Sequence, residues 1–348
     1  MKVLIVGCGR IFNKHYQSIK KLGNKKITIV GICDINKLKI KNIDIKKKNK
    51  INFFTNYKLA LKKSGADTAV ILTPSGLHAK HILEALKNKL NVIVEKPMCL
   101  KISDGKKIIF FSKKYKKRVF VVMQNKFNLP VLKLREDIKN NKFGKLIHAS
   151  VIVRWMRDQN YYNQDQWRGK WKLDGGVVSN QASHHLDLMR SIMSDPVSVF
   201  AKGLRHLVNI ECEDTALIIF KFKNNQSGIM EATTAMRPKN IEGSISIMGT
   251  KGSAKIGGFA LNKFDYYNLK SNIDKNKFKT NPKDVYGYGH IKFYEHFLKS
   301  ITNNKPSEFE CSEAIKTVIL INAIYKSIET NKEVFVNLHS SSKKLGIN

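Results

Sequence analysis

The first 125 residues alternate short apolar runs with helical patterns, and this alternation constrains the fold more than any other feature. The strand-like runs are Lys2–Val6, Thr28–Cys33, Thr68–Leu72, Val92–Val94 and Val119–Met123. Helical spacing of apolar residues lies between them, as in Tyr57–Lys63, His78–Lys87 and about Gly105–Lys114. Strands that alternate with helices in this way form βαβ units. The sequence therefore predicts an α/β fold with a doubly wound, mostly parallel sheet in a first domain of residues 1–125.

A glycine turn follows the first strand, in the order Gly7-Cys8-Gly9-Arg10-Ile11. Gly7 permits a tight turn, and Gly9 lets a pyrophosphate approach the backbone at a helix N-terminus. Phe12 occupies the place of the third glycine of the dinucleotide-binding pattern, whereas Asp34 ends the second strand as that pattern requires. A carboxylate there accepts hydrogen bonds from ribose hydroxyls and repels a 2′-phosphate. The turn predicts NAD rather than NADP; the alternative is a structural glycine turn with a surface aspartate.

Two further loops follow strands of this sheet, Thr73-Pro74-Ser75-Gly76-Leu77-His78 and Glu95-Lys96-Pro97. Ligands of open α/β sheets bind at the carboxyl ends of the strands. Pro97 restricts Lys96 to extended conformations. A lysine that faces a bound cofactor is a candidate acid or base, because the positive nicotinamide and desolvation both favour its neutral form. The alternative is an ordinary surface lysine.

The alternation stops after Met123, and the rest of the chain predicts a second domain of residues 126–348. Its strand-like runs are Leu146–Trp155, Asp214–Phe222, Gly228–Thr234 and Gly243–Met248, with a hairpin turn expected at residues 251–254. Helices are expected at Asn128–Asn141, Ile291–Thr302 and Glu313–Thr330. Consecutive strands of this kind favour an α+β domain with a large, mostly antiparallel sheet.

All three tryptophans fall within seventeen positions of one another, in a segment that is also rich in arginine. Guanidinium groups bind phosphate or carboxylate through two hydrogen bonds, and aromatic rings pack on flat apolar faces. We expect Arg157 and Arg168 to meet an anionic ligand, with Trp155 or Tyr162 against its apolar face. The alternative is a small aromatic core with surface arginines.

A helix is expected after Gly175-Gly176, and it would place Asn180, His184 and Asp187 on one face. His185 would point about 100° away from that face. A buried histidine is more often a hydrogen-bonded core residue than a catalyst. A zinc site from His184, Asp187 and His290 fits neither HExxH nor cysteine spacing, so no metal site is predicted.

Taken together, these residues resemble the glucose-fructose oxidoreductase/inositol dehydrogenase family, Gfo/Idh/MocA. The resemblance is carried by the Gly7 turn, Thr73–His78, Glu95-Lys96-Pro97 and the Gly175-Gly176 segment with His184. It implies a Rossmann domain followed by a domain with a large open sheet, assembled into homodimers or homotetramers. A regulator that binds NAD without catalysis is the alternative from another class; it would not need Lys96 and His184 together.

A narrower resemblance lies in the arginine-tryptophan segment, in Asn180-Gln181 and in Tyr286–His290. These look like the branch that oxidises C3 of UDP-N-acetylglucosaminuronate or UDP-N-acetylglucosamine on routes to 3-amino sugars of bacterial surface polysaccharides. The uronate is favoured; a dehydrogenase of a simple sugar, inositol or sugar phosphate is the second candidate. The resemblance also suggests that 2-oxoglutarate recycles NADH in place.

The resemblance implies Lys96 and His184 as the catalytic residues at the sugar 3-hydroxyl. His184 is favoured as the base, because its unperturbed pKa is about 6.5 whereas that of lysine lies far higher. The wider family usually has aspartate where Asn180 stands, which weakens any proton relay through an acid. The implied cofactor-binding residues are Gly7, Gly9, Arg10, Ile11, Asp34, Thr73, Pro74, Ser75, His78, Glu95, Lys96, Gln124, Trp167 and Arg168. The implied substrate-binding residues are Lys96, Arg157, Tyr162, Arg168, Asn180, His184, Tyr286 and His290.

The formal net charge of +36 would attract polyanions. The excess is mostly lysine spread along the chain with abundant asparagine and isoleucine, as biased codon usage produces. The densest basic runs, Lys46–Lys50 and Lys113–Arg118, lack the interleaved aromatic residues of a nucleic-acid platform. No nucleic-acid partner is predicted.

The cysteines and the lengths of the apolar runs indicate the cellular compartment of the protein. Five scattered cysteines without a CxxC pair favour a reducing compartment. The N-terminal apolar run is too short for a signal peptide, and no run reaches the length of a membrane span. A cytoplasmic protein is expected.

Overall fold

The computed structural model describes residues 1–43, 51–270 and 273–347. The basic run at 46–50 therefore lies outside the described residues. The chain divides into two compact units. The first unit contains Met1–Cys99, Ser103–Met123 and His290–Ile315. The second unit contains Leu100–Ile102, Gln124–Gly289 and Lys316–Asn348.

Strands and helices are numbered in chain order. The strands are β1 Lys2–Val6, β2 Thr28–Cys33, β3 Asn52–Phe54, β4 Thr68–Ile71, β5 Asn91–Val94, β6 Val119–Val121, β7 Leu146–Arg154, β8 Ser198–Leu204, β9 Thr215–Lys221, β10 Ser227–Thr233, β11 Glu242–Gly249, β12 Gly252–Gly257, β13 Lys263–Asn268 and β14 Val334–Phe335. The helices are α1 Phe12–Leu22, α2 Lys37–Lys41, α3 Tyr57–Lys63, α4 His78–Lys87, α5 Ile102–Tyr115, α6 Leu129–Lys139, α7 Gln159–Asn163, α8 Ser183–Met193, α9 Gly289–Thr302 and α10 Cys311–Thr330.

The first unit contains a parallel sheet with the strand order β3-β2-β1-β4-β5-β6. Its central strands are apolar throughout: Val3, Leu4 and Ile5 are fully buried, as in a sheet that is covered on both faces. The predicted doubly wound sheet is confirmed. Strand β3 and helix α2 were not predicted, because they are too short to show a periodic pattern.

The second unit contains a sheet with the order β13-β12-β11-β7-β10-β9-β8-β14. Its neighbours are antiparallel except β7 and β10, which run parallel. The predicted mostly antiparallel sheet is confirmed. The turn expected at residues 251–254 is corrected, because Gly252 already begins β12 and pairs with Gly249.

The two faces of this sheet differ in exposure. One face carries Val151, Ile218 and other side chains of a buried core that also contains residues of α8 and α10. On the other face Ile219 of β9 pairs with Ile229 of β10, and these side chains are 58% and 47% exposed. Leu217, two residues earlier on β9, is 49% exposed. An apolar sheet face of this kind is typical of a surface that another chain covers.

Within residues 1–43, 51–270 and 273–347, no helix combines the length and the apolar character needed to cross a bilayer.

Candidate active site

The turn between β1 and α1 requires glycine at its first position. Gly7 has a φ of +102°, and a Cβ there would lie 2.8 Å from the carbonyl carbon and oxygen of Leu72. A Cβ on Gly9, in contrast, would meet nothing within 4 Å. The backbone at Gly9 is thus open just before the N-terminus of α1, where the helix dipole favours an anion. Arg10 is exposed and Ile11 half-buried on the same turn.

Asp34 lies at the end of β2 and contacts this turn. One carboxylate oxygen, Oδ2, accepts from the backbone N–H of Cys8 at 2.7 Å, and Oδ1 accepts from that of Asn36 at 2.8 Å. Each oxygen has further acceptor capacity. The carboxylate is therefore fixed beside the glycine turn and can accept hydrogen bonds from ribose hydroxyls.

His78 ties together the two loops that follow β4 and β5. Its Nδ1 lies 2.7 Å from the carbonyl oxygen of Pro97, and its Nε2 lies 2.8 Å from that of Thr73. Burial lowers the pKa of His78, although two carbonyl acceptors favour a protonated ring. The predicted residues Thr73, Pro74 and Ser75 thus lie in a loop whose position is coupled to the Glu95-Lys96-Pro97 loop.

Glu95 is the centre of a buried cluster of hydrogen bonds. His15 Nε2 lies 2.8 Å from Glu95 Oε1, and His15 Nδ1 lies 2.7 Å from the hydroxyl of Tyr294. The other carboxylate oxygen, Oε2, accepts from the backbone N–H of Lys96 at 3.2 Å. Burial opposes ionisation of Glu95, but the imidazoles of His15 and His290 outweigh it and hold the pKa of Glu95 well below its usual range. Glu95 therefore anchors the backbone of Lys96 as a carboxylate.

His290 joins this cluster with its Nε2 3.8 Å from Glu95 Oε1 and its ring edge-on to that of His15. The ligand atoms of His15, Glu95 and His290 lie within 4.8 Å of one another, close enough to hold a metal ion. Both ring nitrogens of His15 are already engaged in hydrogen bonds, so a metal would have to displace the contact with Glu95. Sequence reasoning missed His15 and Tyr294, because both occupy positions typical of a helix core.

In the second unit, the segment before α8 does not form the expected helix. Gly175 has a φ of +81°, and α8 begins only at Ser183. The hydroxyl of Tyr325 accepts from the N–H groups of Gly176 at 2.9 Å and Ser179 at 3.3 Å. These bonds hold the backbone in turns. The prediction that Asn180 lies on the helix that carries His184 is therefore wrong; Asn180 precedes it.

His184 lies in the first turn of α8 and is 8% exposed. Its Nε2 is 3.3 Å from the side-chain nitrogen of Gln124. This contact places the side-chain amide of Gln124 against one ring nitrogen of His184. His185 is fully buried and packs edge-on against Trp155 with the ring centres 5.7 Å apart. It is a core residue.

An internal ion pair fixes the helix that carries His184. Asp187 is 2.9 Å from the ammonium of Lys126 and 3.4 Å from the guanidinium of Arg190, and it accepts from the hydroxyl of Thr317 at 2.5 Å. Burial opposes ionisation of Asp187, but the two cations outweigh it and lower its pKa. Asp187 therefore anchors α8 rather than extending the set of catalytic groups.

The arginines of the aromatic segment stack on rings. The guanidinium carbon of Arg168 lies 4.3 Å from the ring centre of Trp167 and 4.7 Å from that of Tyr161. Arg157 lies 5.0 Å from the ring centre of Tyr161 and 5.5 Å from that of Trp155. Some of their N–H groups are already used: Arg157 donates to the carbonyl of Met156 and to Asn240, and Arg168 donates to Asp165 and to the hydroxyl of Tyr161.

The remaining predicted substrate residues of the second unit differ in exposure. Trp155 and Tyr162 are 4% and 6% exposed, and Tyr162 packs with Val208 and Ile210. Both therefore belong to the packed wall behind the arginines. Tyr286 is half-buried, and its backbone N–H donates to Asp284 Oδ1 at 3.0 Å.

Comparisons with known proteins match both halves of the chain. Residues 1–123 match the NAD-binding Rossmann fold of the GFO/IDH/MocA oxidoreductase family, and residues 135–336 match the C-terminal alpha/beta domain of that family. The chain belongs to the Gfo/Idh/MocA family. Its glycine turn and Asp34 fit the cofactor of that family, and the protein is an NAD-dependent oxidoreductase.

Two solved structures of the family resemble the whole chain. The WlbA dehydrogenase from Chromobacterium violaceum, in complex with NADH and UDP-GlcNAcA, is 32% identical with a TM-score of 0.89, covering 97% of this chain and 96% of its own. The WlbA dehydrogenase from Bordetella pertussis, in complex with the same two ligands, is 30% identical with a TM-score of 0.88, covering 97% and 99%. Among curated relatives, the myo-inositol 2-dehydrogenase of Thermotoga maritima is 24% identical over 72% of this chain and 74% of its own.

Proposed function

We propose that this Gfo/Idh/MocA protein oxidises the C3 hydroxyl of a UDP-N-acetylated sugar to the 3-keto sugar, with UDP-N-acetylglucosaminuronate as the favoured substrate. The observation that carries the proposal is the full-length similarity, at 30% and 32% identity, to two dehydrogenases that bind NADH and UDP-GlcNAcA. The product would serve as the precursor of a 3-amino sugar for surface polysaccharide.

Lys96 and His184 are the proposed catalytic residues. NAD, when bound, would supply the acceptor for the hydride of C3. His184 takes the proton of the 3-hydroxyl, and Gln124 keeps the histidine ring oriented through its contact with Nε2. Lys96 donates a hydrogen bond to the same oxygen and stabilises its developing negative charge. The carboxylate of Glu95 holds the backbone N–H of Lys96 and so limits the positions that the lysine side chain can take.

Arg157 and Arg168 are proposed to bind the uronate carboxylate or the diphosphate. Both guanidiniums are held against aromatic rings before any ligand binds, which reduces the entropy lost on binding. Arg168 is additionally oriented by Asp165 at 3.0 Å and by the hydroxyl of Tyr161 at 2.8 Å. A small neutral polyol would have no use for two such groups.

A dehydrogenase of inositol, a simple sugar or a sugar phosphate is the second candidate. The relative that favours it is the 24% identical myo-inositol 2-dehydrogenase. The two candidates differ in their need for the arginines. We expect Arg168→Met to abolish turnover of a UDP-uronate, whereas turnover of a neutral polyol would not need this arginine.

The deciding experiment is a substrate panel. NADH absorbance is followed with UDP-N-acetylglucosaminuronate, UDP-N-acetylglucosamine and myo-inositol, each with and without 2-oxoglutarate. We expect NADH to form with the uronate. With 2-oxoglutarate present we expect less NADH but more 3-keto sugar, measured by mass spectrometry, because reduction of 2-oxoglutarate to 2-hydroxyglutarate would reoxidise NADH on the enzyme. Turnover of myo-inositol alone would refute the proposal.

Two variants test the catalytic roles. Lys96→Ala and His184→Asn should each lower kcat at least about a thousandfold, since each removes a group that acts on the reacting oxygen, while NADH affinity stays near normal. Lys87→Ala and His206→Asn, at exposed positions, are the matched controls. Retained activity in both catalytic variants would refute the assignment.

The exposed face of the second sheet supports the proposed homo-oligomer. Its apolar centre, formed by Leu217, Ile219 and Ile229, suits a second copy of the same surface. Sedimentation of the wild type and of Ile219→Lys tests this. We expect a dimer or tetramer for the wild type and smaller species for the variant.

A further inference from the structure

The amide of Asn180 contacts a buried carboxylate. Its side-chain nitrogen donates to Asp174 Oδ1 at 2.6 Å. The other oxygen of Asp174, Oδ2, accepts from the backbone N–H of Gly169 at 2.9 Å. Asp174 is 1% exposed, whereas Asn180 is partly exposed. One oxygen of Asp174 thus accepts a hydrogen bond from the main chain, and the other accepts one from the side chain of Asn180.

This contact determines which end of the amide faces Asp174. A carboxylate can only accept hydrogen bonds, so the NH₂ group of Asn180 must point to Asp174 and its carbonyl oxygen must point elsewhere. The direction follows from the hydrogen-bonding partners and does not depend on telling nitrogen from oxygen. Asn180 consequently offers an acceptor oxygen away from Asp174, as the carboxylate of an aspartate at this position would.

We infer that Asp174 is a positioning residue that fixes Asn180 as a hydrogen-bond acceptor for a hydroxyl of the substrate. The inference rests on the proposed function for its substrate. It explains why this chain has asparagine at 180: aspartate there would bring two carboxylates within 2.6 Å of each other. Two carboxylates at that distance cannot both ionise without a large penalty and would share a proton.

The charged surroundings of Asp174 matter for its test. Arg168, Glu213, Cys212 and Tyr162 all interact electrostatically with Asp174. Asp174→Asn removes the charge that these groups face, whereas the double variant described below keeps one carboxylate within the pair. Recovery of activity in the double variant therefore tests the pairing of positions 174 and 180.

The activity test begins with a single substitution at Asp174. In Asp174→Asn the oxygen of the new amide still accepts from the backbone N–H of Gly169, so its NH₂ group faces Asn180. Because two NH₂ groups cannot hydrogen-bond to each other, the amide of Asn180 must rotate. We expect kcat/KM for the UDP-sugar to fall about ten- to a hundredfold, the usual effect of mispairing a buried polar group. NADH affinity should not change.

The exchanged double variant, Asp174→Asn with Asn180→Asp, restores the pairing with its direction reversed. The amide introduced at position 174 donates to the carboxylate introduced at position 180, and the second oxygen of that carboxylate again points away as an acceptor. We expect kcat/KM within about fivefold of the wild type, which a merely structural loss at Asp174 would not allow. Asp265→Asn, on β13, is the matched control and should leave kcat/KM unchanged.

A stability test needs no substrate and separates this inference from the proposed function. Asn180→Asp alone places two acids together, so its unfolding temperature should fall relative to the wild type as the pH rises from about 5.5 to about 8.5. The sign follows because the shared proton raises the pKa of the pair in the folded state, and stability is lost above it. The double variant should show no such fall.

The outcomes are distinct. A wild type that turns over none of the UDP-sugars contradicts the proposed function, and the stability test then decides the pairing of Asp174 with Asn180. Near-normal activity of Asp174→Asn, or a folded double variant no more active than that single variant, would overturn the inference. Asn180→Asp with the same pH dependence of unfolding as the wild type would also overturn it.

Discussion

The buried carboxyl of Glu213 lies behind the turn that leads to Asn180 and His184. Its Oε1 accepts from the N–H of Val178 at 3.1 Å and from the hydroxyl of Tyr325 at 2.9 Å. Burial and, to a smaller extent, the nearby Asp174 outweigh the hydrogen bonds to the carboxyl and raise the pKa of Glu213 to about 7, from an ordinary value of 4.5. We predict that Glu213→Gln stabilises the protein at alkaline pH, because glutamine keeps an acceptor oxygen and cannot ionise.

The magnitude follows from the raised pKa. At about 1.4 kcal/mol per pKa unit, ionisation of Glu213 in the folded state costs about 3 kcal/mol. Since the folded pKa lies above the unfolded pKa, the neutral carboxyl contributes its full stability below about pH 4.5 and loses it as the pH rises to about 7. The free energy of unfolding of Glu213→Gln should therefore exceed that of the wild type by about 3 kcal/mol at about pH 8 and match it near pH 4.5.

Urea unfolding at several pH values from about 4.5 to about 8 measures this difference, with Glu136→Gln as the matched control because the side chain of Glu136 is 63% exposed. The control should change the free energy of unfolding by less than about 0.5 kcal/mol at every pH. A difference for Glu213→Gln that does not depend on pH, or a destabilised variant at the alkaline end of the series, would refute the reasoning.

Three further predictions concern the first unit and the arginines. Gly7→Ala should abolish NADH binding in a fluorescence titration and lower the free energy of unfolding by more than about 2 kcal/mol, because its Cβ would meet the Leu72 carbonyl and φ is +102°. Asp34→Ala should weaken NAD binding about ten- to a hundredfold while NADP binding weakens less, since the carboxylate that accepts from the ribose hydroxyls is gone; equal weakening of both would contradict its role. Arg168→Lys should raise KM for the UDP-sugar more than it lowers kcat, because lysine keeps the charge but loses the stacking on Trp167; an unchanged KM would exclude Arg168 from the substrate site.

The first domain was largely predictable because its signals are local. The glycine turn, Asp34 and the apolar strands each depend on a few neighbouring residues, and the structure has them at the expected ends of the expected strands. The two sheets and the cofactor followed from the same patterns and from the family resemblance. The edge strand β3 and the short β14 were missed, since runs of three and two residues carry no period. The longer strands β8 and β13, of seven and six residues, were missed as well.

The missing parts of the site depend on contacts between residues that are distant in sequence. His15 meets Glu95 across 80 positions, and Tyr325 reaches the turn at Gly176 across 149. The second of these contacts replaces the helix that the local pattern favoured at Asn180. The spacing of residues in the sequence does not predict such long-range contacts. A histidine at a buried position of a predicted helix would, however, have indicated His15 as a candidate.

The central claim is that the chain removes a hydride from C3 of a UDP-sugar. Incubating the protein with NAD and UDP-N-acetylglucosaminuronate that carries deuterium at C3 tests it most directly, with the mass of the NADH as the readout. We expect NADH heavier by one mass unit with the wild type, and no NADH above background with His184→Asn. Unlabelled NADH from the wild type, or no NADH from any UDP-sugar alongside turnover of a polyol, would contradict it.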